Sequence, residues 1–219
     1  MGSAVNILSE QPSLLNSLLA EVRDRTVQQD RMRFRRNIER CGEIFAYEIS
    51  RTLAYLDREV ETPLGTATVP VLAEQPVIAS ILRAGLPLHQ GLLNYFDHAD
   101  NTFISAYRKH DGDADEFEVE IEYLSSPSVE GRHVILCDPM LATGSSMVLA
   151  YKALLARGQP RHTDIVALIA SEEGVQFVLD RLPQGITLWL GAVDAELTPR
   201  AYIVPGLGDA GDLCFGAKE

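Results

Sequence analysis

Residues 133–155 read HVILCDPMLATGSSMVLAYKALL, and they indicate a buried strand, a tight turn and a helix in direct succession. The apolar run at 133–137 predicts the strand, which ends at Asp138. Small and hydroxyl-bearing residues follow at 143–146, and a helical pattern then extends to about residue 157. Strand, turn and helix in this order form the repeating unit of a parallel sheet.

The same alternation continues on both sides of this segment. Short apolar runs alternate with helical stretches from residue 77 to residue 193, as the crossovers between parallel strands require. The pattern predicts an α/β fold with a mainly parallel sheet and helices on both faces. Ligands of such sheets collect at the carboxyl ends of the strands, where Asp138 is expected to lie. The predicted strands are residues 77–82, 102–107, 133–137, 164–170 and 186–193, and the predicted helices follow Gly85 and span 144–157 and 172–182.

Two regions precede this α/β core and one follows it. Apolar residues at helical spacing predict N-terminal helices within residues 1–57, above all at 31–56. Extended patterning around a turn predicts a β-hairpin arm at 59–72, which we interpret as a dimer contact. A chain of 219 residues suits a single domain, so we divide it into these helices, the arm, a core at 77–193 and a C-terminal region at 194–219.

The charge balance argues against nucleic acid as a partner. The formal net charge is −12, and such a balance repels phosphate backbones and anionic lipid. One basic cluster lies at residues 23–40, but acids and glutamines interrupt it. A solvated helix face is our interpretation of this cluster.

The cysteines indicate a reducing compartment. There are three, widely spaced, which fits neither a disulfide framework nor a zinc site. The N-terminus has no secretory pattern, and no uncharged apolar run reaches the ~20 residues of a membrane-spanning helix. We therefore expect a soluble cytoplasmic protein without a membrane partner.

The turn after the central strand has the composition of a phosphate-binding loop. Small residues let the main chain approach an anion, and unpaired N–H groups at the start of a helix can bind it together with the hydroxyls of Thr143 to Ser146. Asp138 can accept hydrogen bonds from two ribose hydroxyls. A helix cap without any ligand remains an alternative, since Asp, Thr and Ser are all good caps.

At these residues the chain resembles the uracil phosphoribosyltransferase family. VILCDPMLATGSSM is similar to the family's loop for phosphoribosyl pyrophosphate, although the family usually has glycine where this chain has Ser145. A side chain at that position requires a negative φ. The resemblance implies the type I phosphoribosyltransferase fold. The donor-binding residues it implies in this loop are Asp138, Pro139, Met140, Leu141, Ala142, Thr143, Gly144, Ser145 and Ser146.

Two further segments match the family and supply arginines. SILRAGLPLHQG at 80–91 is similar to an element whose arginine binds the pyrophosphate, so Arg83 inherits that catalytic role. ISAYRKH at 104–110 gives the same role to Arg108. The acidic segment that follows, 109–132, is predicted to be a mobile loop or hairpin, either a lid over the site or a solvated connector.

The last matching segment is AYIVPGLGDAGDLCFG, residues 201–216. It closely resembles the family's uracil-binding hood, and we call residues 194–219 the hood. Main-chain groups in such a loop can pair with the edge of a pyrimidine. The resemblance implies uracil contacts from Ile203, Gly208, Asp209 and Ala210, and it places Asp209 at the donor as a third catalytic residue.

The resemblance implies an activity, a cofactor and an assembly. The activity is transfer of ribose 5-phosphate from phosphoribosyl pyrophosphate to uracil, giving UMP and pyrophosphate. Mg²⁺ would be held mainly by the substrate with help from Asp209, without a dedicated cage, and the protein would be a homodimer. Two alternatives remain: a phosphoribosyltransferase for another base, and a non-catalytic regulator on this fold that senses UMP or binds RNA.

Overall fold

An eight-stranded sheet with helices on both faces forms the centre of the protein. The computed structural model describes residues 4–110 and 117–217, and the side chains of 106–110 and 117–120 fall outside the description. The strands are β1 Ala4–Ile7, β2 Tyr55–Thr62, β3 Gly65–Leu72, β4 Val77–Leu82, β5 Asp100–His110, β6 Phe117–Ser125, β7 His133–Cys137, β8 Met140–Leu141, β9 His162–Ser171, β10 Thr187–Asp194, β11 Glu196–Leu197 and β12 Ile203–Val204. The helices are α1 Leu14–Arg23, α2 Arg31–Ser50, α3 Gly85–Leu93, α4 Ser145–Leu154, α5 Glu172–Arg181 and α6 Ala210–Phe215.

The order of the strands confirms the predicted α/β architecture. The sheet runs β1-β10-β9-β7-β4-β5-β6, with β8 beside β9. All pairs are parallel except β5 with β6, so the sheet is mainly parallel. Strands β4 and β7 are parallel neighbours in the centre of the sheet. Arg83 and Asp138, which follow their carboxyl ends, therefore lie at the same end of the strands.

Each face of the sheet is covered by helices from a different part of the chain. Helices α1, α2 and α3 pack on one face, where Phe34, Phe45 and Leu88 are fully buried. Helices α4 and α5 pack on the other through residues such as Leu154 and Val178. The strands between them are buried on both sides, as β9 shows with a run of nine buried residues after its first. This explains why the strands read as continuous apolar runs.

The N-terminal region differs from its prediction in two ways. It begins with β1, which pairs in parallel with β10 at the edge of the sheet, whereas we predicted helices alone over 1–57. A four-residue strand is too short to give a periodic signal. Helix α2 ends at Ser50 and not at 56, because Tyr55 and Leu56 pair with β3 and extend the hairpin arm to Tyr55–Leu72.

The predicted excursion at 109–132 is partly a strand. Its middle, Phe117–Ser125, forms β6, which pairs antiparallel with β5 and is the last strand at one side of the sheet. Residues 111–116, where the proposed lid would lie, are outside the described residues. Among the helices that are described, none combines the length and the apolar character needed to cross a membrane.

Candidate active site

The loop that follows β7 is fixed along β9 by main-chain hydrogen bonds. The Asp138 N–H donates to the Val166 carbonyl at 3.1 Å. The carbonyl of Pro139 accepts from both Leu168 and Ile169, each at 3.0 Å. Directly after Pro139, β8 pairs with β9. The 138–146 loop is thus held against the neighbouring strand before any ligand arrives.

Asp138 lies at the base of this loop in a largely enclosed position. The pKa of its carboxyl group is raised to about 7, mainly by burial and to a lesser degree by the negative charge of Asp209. The Met140 N–H opposes both effects by donating to Asp138 Oδ1 at 3.1 Å. Two carboxylates therefore face the same space, which favours a ligand that brings hydroxyls or a cation.

Gly144 is the N-cap residue of α4, the helix that ends the loop. It adopts φ 79°, and a Cβ atom there would lie 2.9 Å from the Gly174 carbonyl oxygen, so both conformation and space call for glycine. Ser145 is the first residue of α4 and adopts helical backbone, which is the negative φ that its side chain requires. Its Oγ accepts from Thr143 Oγ1 at 3.2 Å. The start of α4 therefore presents hydroxyls and helix N–H groups together.

The N-terminus of helix α5 contacts the same loop and helps to fix its position. Ser171 caps this helix by accepting from the Gly174 N–H at 2.8 Å, and its hydroxyl donates to the Ala142 carbonyl at 2.5 Å. Gly174 leaves room for that carbonyl, because a Cβ atom would clash with Ala142 O and lie 2.7 Å from Leu141 O. Sequence analysis did not identify Ser171 or Gly174, since neither lies in the matched motifs.

Gly174→Ala is expected to raise the KM for the sugar-phosphate donor about tenfold, because the new methyl group must displace the carbonyls of Leu141 and Ala142. The exposed neighbour Glu173 supplies the matched control, Glu173→Ala, which should leave KM within twofold. Steady-state kinetics at varied donor concentration measures both. An unchanged KM in Gly174→Ala would show that the loop position is unimportant for donor binding.

Arg83 follows β4 directly and lines the space opposite the loop. Its Nη2 donates to the Gly216 carbonyl at 3.2 Å and lies 3.5 Å from Asp212 Oδ1. Within the part of the chain that the structure describes, its buried Nε has no hydrogen-bond acceptor. An unpaired buried donor costs about 1–3 kcal/mol, so an anionic ligand at this guanidinium would be favoured.

The hood lies on a third side of the space between the 138–146 loop and Arg83. Gly206 and Gly208 adopt positive φ, at 54° and 94°, and turn the chain sharply between β12 and α6. Asp209 caps α6 by accepting from the Asp212 N–H at 2.9 Å through Oδ1. These turns explain the glycine-rich sequence, because non-glycine residues rarely adopt such φ values.

Arginines of the N-terminal helices anchor the hood. Arg23 makes a two-pronged ion pair with Asp194, both bonds at 2.8 Å, and donates to the Gly206 carbonyl at 2.8 Å. Arg35 donates to the Cys214 carbonyl at 2.6 Å. Our interpretation of cluster 23–40 as a solvated face was therefore wrong for these two residues. No local pattern indicates these contacts, because the partners lie 171 to 183 residues away.

The loop, Arg83 and the hood enclose one cavity of 420 Å³. The predicted donor-binding residues in its wall are Arg83, Asp138, Met140, Leu141, Ala142, Thr143, Gly144 and Ser146. The predicted uracil-binding residues in its wall are Ile203, Gly208, Asp209 and Ala210. The structure thus brings together two stretches of sequence about 60 residues apart.

Two predicted site residues with described side chains are not in this wall. Pro139 is buried and its carbonyl faces β9, and Ser145 bonds to Thr143, so both support the loop from outside the cavity lining. Arg108 lies on β5, but its side chain is outside the described residues. Arg200 and Tyr202 do line the cavity, although sequence analysis did not name them.

Comparison with known proteins agrees with this geometry. A family model described as uracil phosphoribosyltransferase matches residues 9–217. The uracil phosphoribosyltransferase of Porphyromonas gingivalis is 52% identical over 96% of this chain and 97% of its own. That of Methanothermobacter thermautotrophicus is 41% identical over 84% and 83%. In fold, the AQ2163 protein of Aquifex aeolicus matches with a TM-score of 0.85 and 28% identity, covering 97% of this chain and 98% of that one. This chain therefore belongs to the uracil phosphoribosyltransferase family.

Proposed function

We propose that this chain transfers the phosphoribosyl group of phosphoribosyl pyrophosphate to uracil in the 420 Å³ cavity, giving UMP and pyrophosphate. One observation carries the proposal: the 138–146 loop and the hood residues Gly208–Ala210 line the same cavity. A sugar phosphate on one side and a pyrimidine on the other would then meet within it.

The donor side of the cavity suits a sugar that carries a monophosphate at one end and a pyrophosphate at the other. The N-terminus of α4, with Thr143 and Ser146, would bind the 5-phosphate. Asp138 would accept hydrogen bonds from the ribose hydroxyls. Arg83 would bind the pyrophosphate at the opposite side, with Arg108 as a second arginine there.

The hood would bind the base through its main chain. Uracil presents an N–H flanked by two carbonyls, and the backbone at Ile203, Gly208 and Ala210 can supply complementary donors and acceptors. Ile203 and Ala210 are buried, so their main-chain groups are fixed in place. Specificity would then come from loop geometry and not from reactive side chains.

Mg²⁺ fits the residues of this cavity. Asp209 has an exposed carboxylate, one oxygen of which accepts the Asp212 N–H, while the other is available to a hard cation. When bound with the donor, the ion would neutralise charge on the pyrophosphate. Asp209 would supply one oxygen ligand to the ion, and the substrate would supply most of the remaining ligands.

The chemistry is a displacement at the anomeric carbon of the ribose. The bond from C1 to the pyrophosphate oxygen breaks, the bond from C1 to uracil N1 forms, and the N1 proton leaves to solvent. Negative charge grows on the pyrophosphate as its bond stretches, and Arg83 would stabilise it most in the transition state. Burial raises the pKa of the Cys214 thiol in the hood to about 12, so a thiolate nucleophile has no part in this reaction at neutral pH.

The direct test mixes the purified protein with uracil, phosphoribosyl pyrophosphate and Mg²⁺ and follows UMP by chromatography. UMP should form with uracil, and the corresponding nucleotides should not form with orotate, hypoxanthine or guanine. Product from another base would instead assign a different substrate. Binding of UMP or RNA without turnover would overturn the proposal in favour of a regulator.

The protein is further proposed to be a cytoplasmic homodimer. The hairpin arm β2–β3 carries exposed apolar side chains, among them Leu64, which is 100% exposed, Tyr55 and Leu56. Such residues are costly in water unless a partner covers them. Light scattering should give a mass of twice 24.1 kDa, and a mass of 24.1 kDa would contradict the assignment.

A further inference from the structure

A second polar cluster lies at the amino-terminal ends of the central strands, whereas the active site lies at their carboxyl-terminal ends. His133 is the first residue of β7, His162 the first of β9, and the two face each other across the paired strands. Asp164 follows two residues later on β9, with its side chain on the same face. The five-residue length of β7 separates this cluster from Asp138 by roughly 16 Å, at about 3.3 Å per residue.

The imidazoles of this cluster converge on one carboxylate. His133 Nε2 lies 2.7 Å from Asp164 Oδ2, and His162 Nε2 lies 3.3 Å from Asp164 Oδ1. The two ring nitrogens and a carboxylate oxygen all lie within 4.8 Å of one another. Ligand atoms of a tetrahedral zinc site lie roughly 3.3 Å apart, given bonds of about 2.0–2.1 Å, so small side-chain rotations would suffice to bind an ion.

The carboxylate is buried and lacks a permanently charged partner within the cluster. Asp164 is 1% exposed, and apart from the two imidazoles it accepts the indole N–H of Trp189 at 3.0 Å. Arg161, the nearby arginine in the adjacent cavity wall, pairs with Glu74. A buried carboxylate stays charged at low cost only when donors or cations surround it, and a metal ion held between the imidazoles and the carboxylate would add such a partner.

The cluster is accessible from solvent. A cavity of 620 Å³ reaches it, and His133, His162 and Trp189 form part of the wall. An ion could enter by this route and keep a water molecule on the open side, as in three-ligand zinc sites. The Trp189 bond to Asp164 Oδ1 is an outer contact of the kind that orients a metal-binding carboxylate.

We propose that His133, His162 and Asp164 bind one divalent transition-metal ion, with Zn²⁺ as the probe, at the amino-terminal edge of the sheet. Two imidazoles and one carboxylate select such an ion over Mg²⁺, which prefers oxygen ligands alone. The ion joins adjacent strands β7 and β9 far from the cavity that binds substrates. It therefore acts on the stability of the sheet and not as the Mg²⁺ of the transferase reaction.

Calorimetric titration of the chelator-treated protein with Zn²⁺ tests this site. Wild type should bind one Zn²⁺ per chain, and His133→Gln and His162→Gln should each bind it at least tenfold more weakly, because each removes one of three ligands. Glutamine retains a side-chain donor for Asp164, so the variants should remain folded. Their circular dichroism and melting curves without metal check this.

Two matched variants separate the site from other metal binding. His98→Gln alters a surface histidine, 84% exposed, and Asp209→Asn alters the active-site carboxylate. Both should bind Zn²⁺ at His133 and His162 as tightly as wild type, and Zn²⁺ should raise the melting temperature of both. Equal Zn²⁺ affinity in wild type and His162→Gln would overturn the proposal. Loss of binding in Asp209→Asn alone would assign the ion to the active site and overturn it equally.

Discussion

Replacing Arg83 with alanine is expected to lower kcat/KM for UMP synthesis by about 10²–10³-fold, because one donor to the developing pyrophosphate charge is lost. The guanidinium lines the cavity, and its buried Nε has no acceptor among the described residues. Most of the effect should fall on kcat, since the charge grows as the bond breaks. Arg83→Lys should lose part of the activity, because lysine keeps the charge but not the planar fork.

A second variant separates this role from a purely structural one. Arg83 also contacts Asp212 and the Gly216 carbonyl, so its loss alters the hood as well as the donor site. Asp212→Asn weakens the ion pair but keeps the guanidinium, and a partly exposed pair contributes only about 0–1 kcal/mol. Activity in Asp212→Asn should therefore stay within about fivefold of wild type. An equal loss in both variants would show that Arg83 acts by holding the hood. Arg51→Ala, at the exposed end of α2, controls for the loss of an arginine.

The central strands could be predicted from the sequence because each is buried on both faces. β4 and β7 match their predicted bounds, and α5 differs by one residue. Such strands appear as unbroken apolar runs between turns, so no tertiary information is needed to recognise them. The order in which they lie in the sheet then places Arg83 and Asp138 together.

The parts that were missed depend on contacts between distant residues. β1 is a strand only because β10 offers an edge, and its four residues carry no periodicity of their own. In the sequence, Arg23 cannot be distinguished from an ordinary surface arginine, because only the fold places Asp194 and Gly206 beside it. Gly174 is required by the Ala142 carbonyl, which approaches from another element. Local sequence patterns do not predict contacts between residues that are this far apart in the chain.

Asp138→Asn is expected to abolish most donor binding and yet make the protein more stable at pH 8. The carboxyl is the proposed acceptor for the ribose hydroxyls, and an amide cannot accept from two of them with charge-assisted strength. In the folded protein without ligand, burial raises the pKa of this group from 3.8 to about 7. The ionised carboxylate is thus destabilising at pH 8, and asparagine removes the charge while its oxygen can still accept the Met140 N–H.

The sign of the pH dependence follows from the raised pKa. Between pH 4 and pH 7 the folded protein binds the Asp138 proton more tightly than the unfolded chain does, so this group makes stability fall as pH rises through that range. At 1.36 kcal/mol per pKa unit, discounted for the part of the carboxyl that faces the cavity, the penalty at pH 8 is roughly 1–3 kcal/mol. Asp138→Asn should recover it, which corresponds to about 3–10 °C in melting temperature for a chain of this size.

Melting curves of wild type and Asp138→Asn at pH 8 and pH 4.5 would measure this difference. The variant should melt higher at pH 8, and most of the difference should be lost at pH 4.5, close to the ordinary carboxyl pKa of 3.8 below which the group is protonated in both the folded and the unfolded chain. In wild type, kcat/KM for the donor should fall about tenfold per pH unit below pH 7, since it reports the free enzyme. Equal melting temperatures at both pH values would mean that Asp138 ionises normally. The loop would then bind sugar hydroxyls without the stability cost that its burial implies.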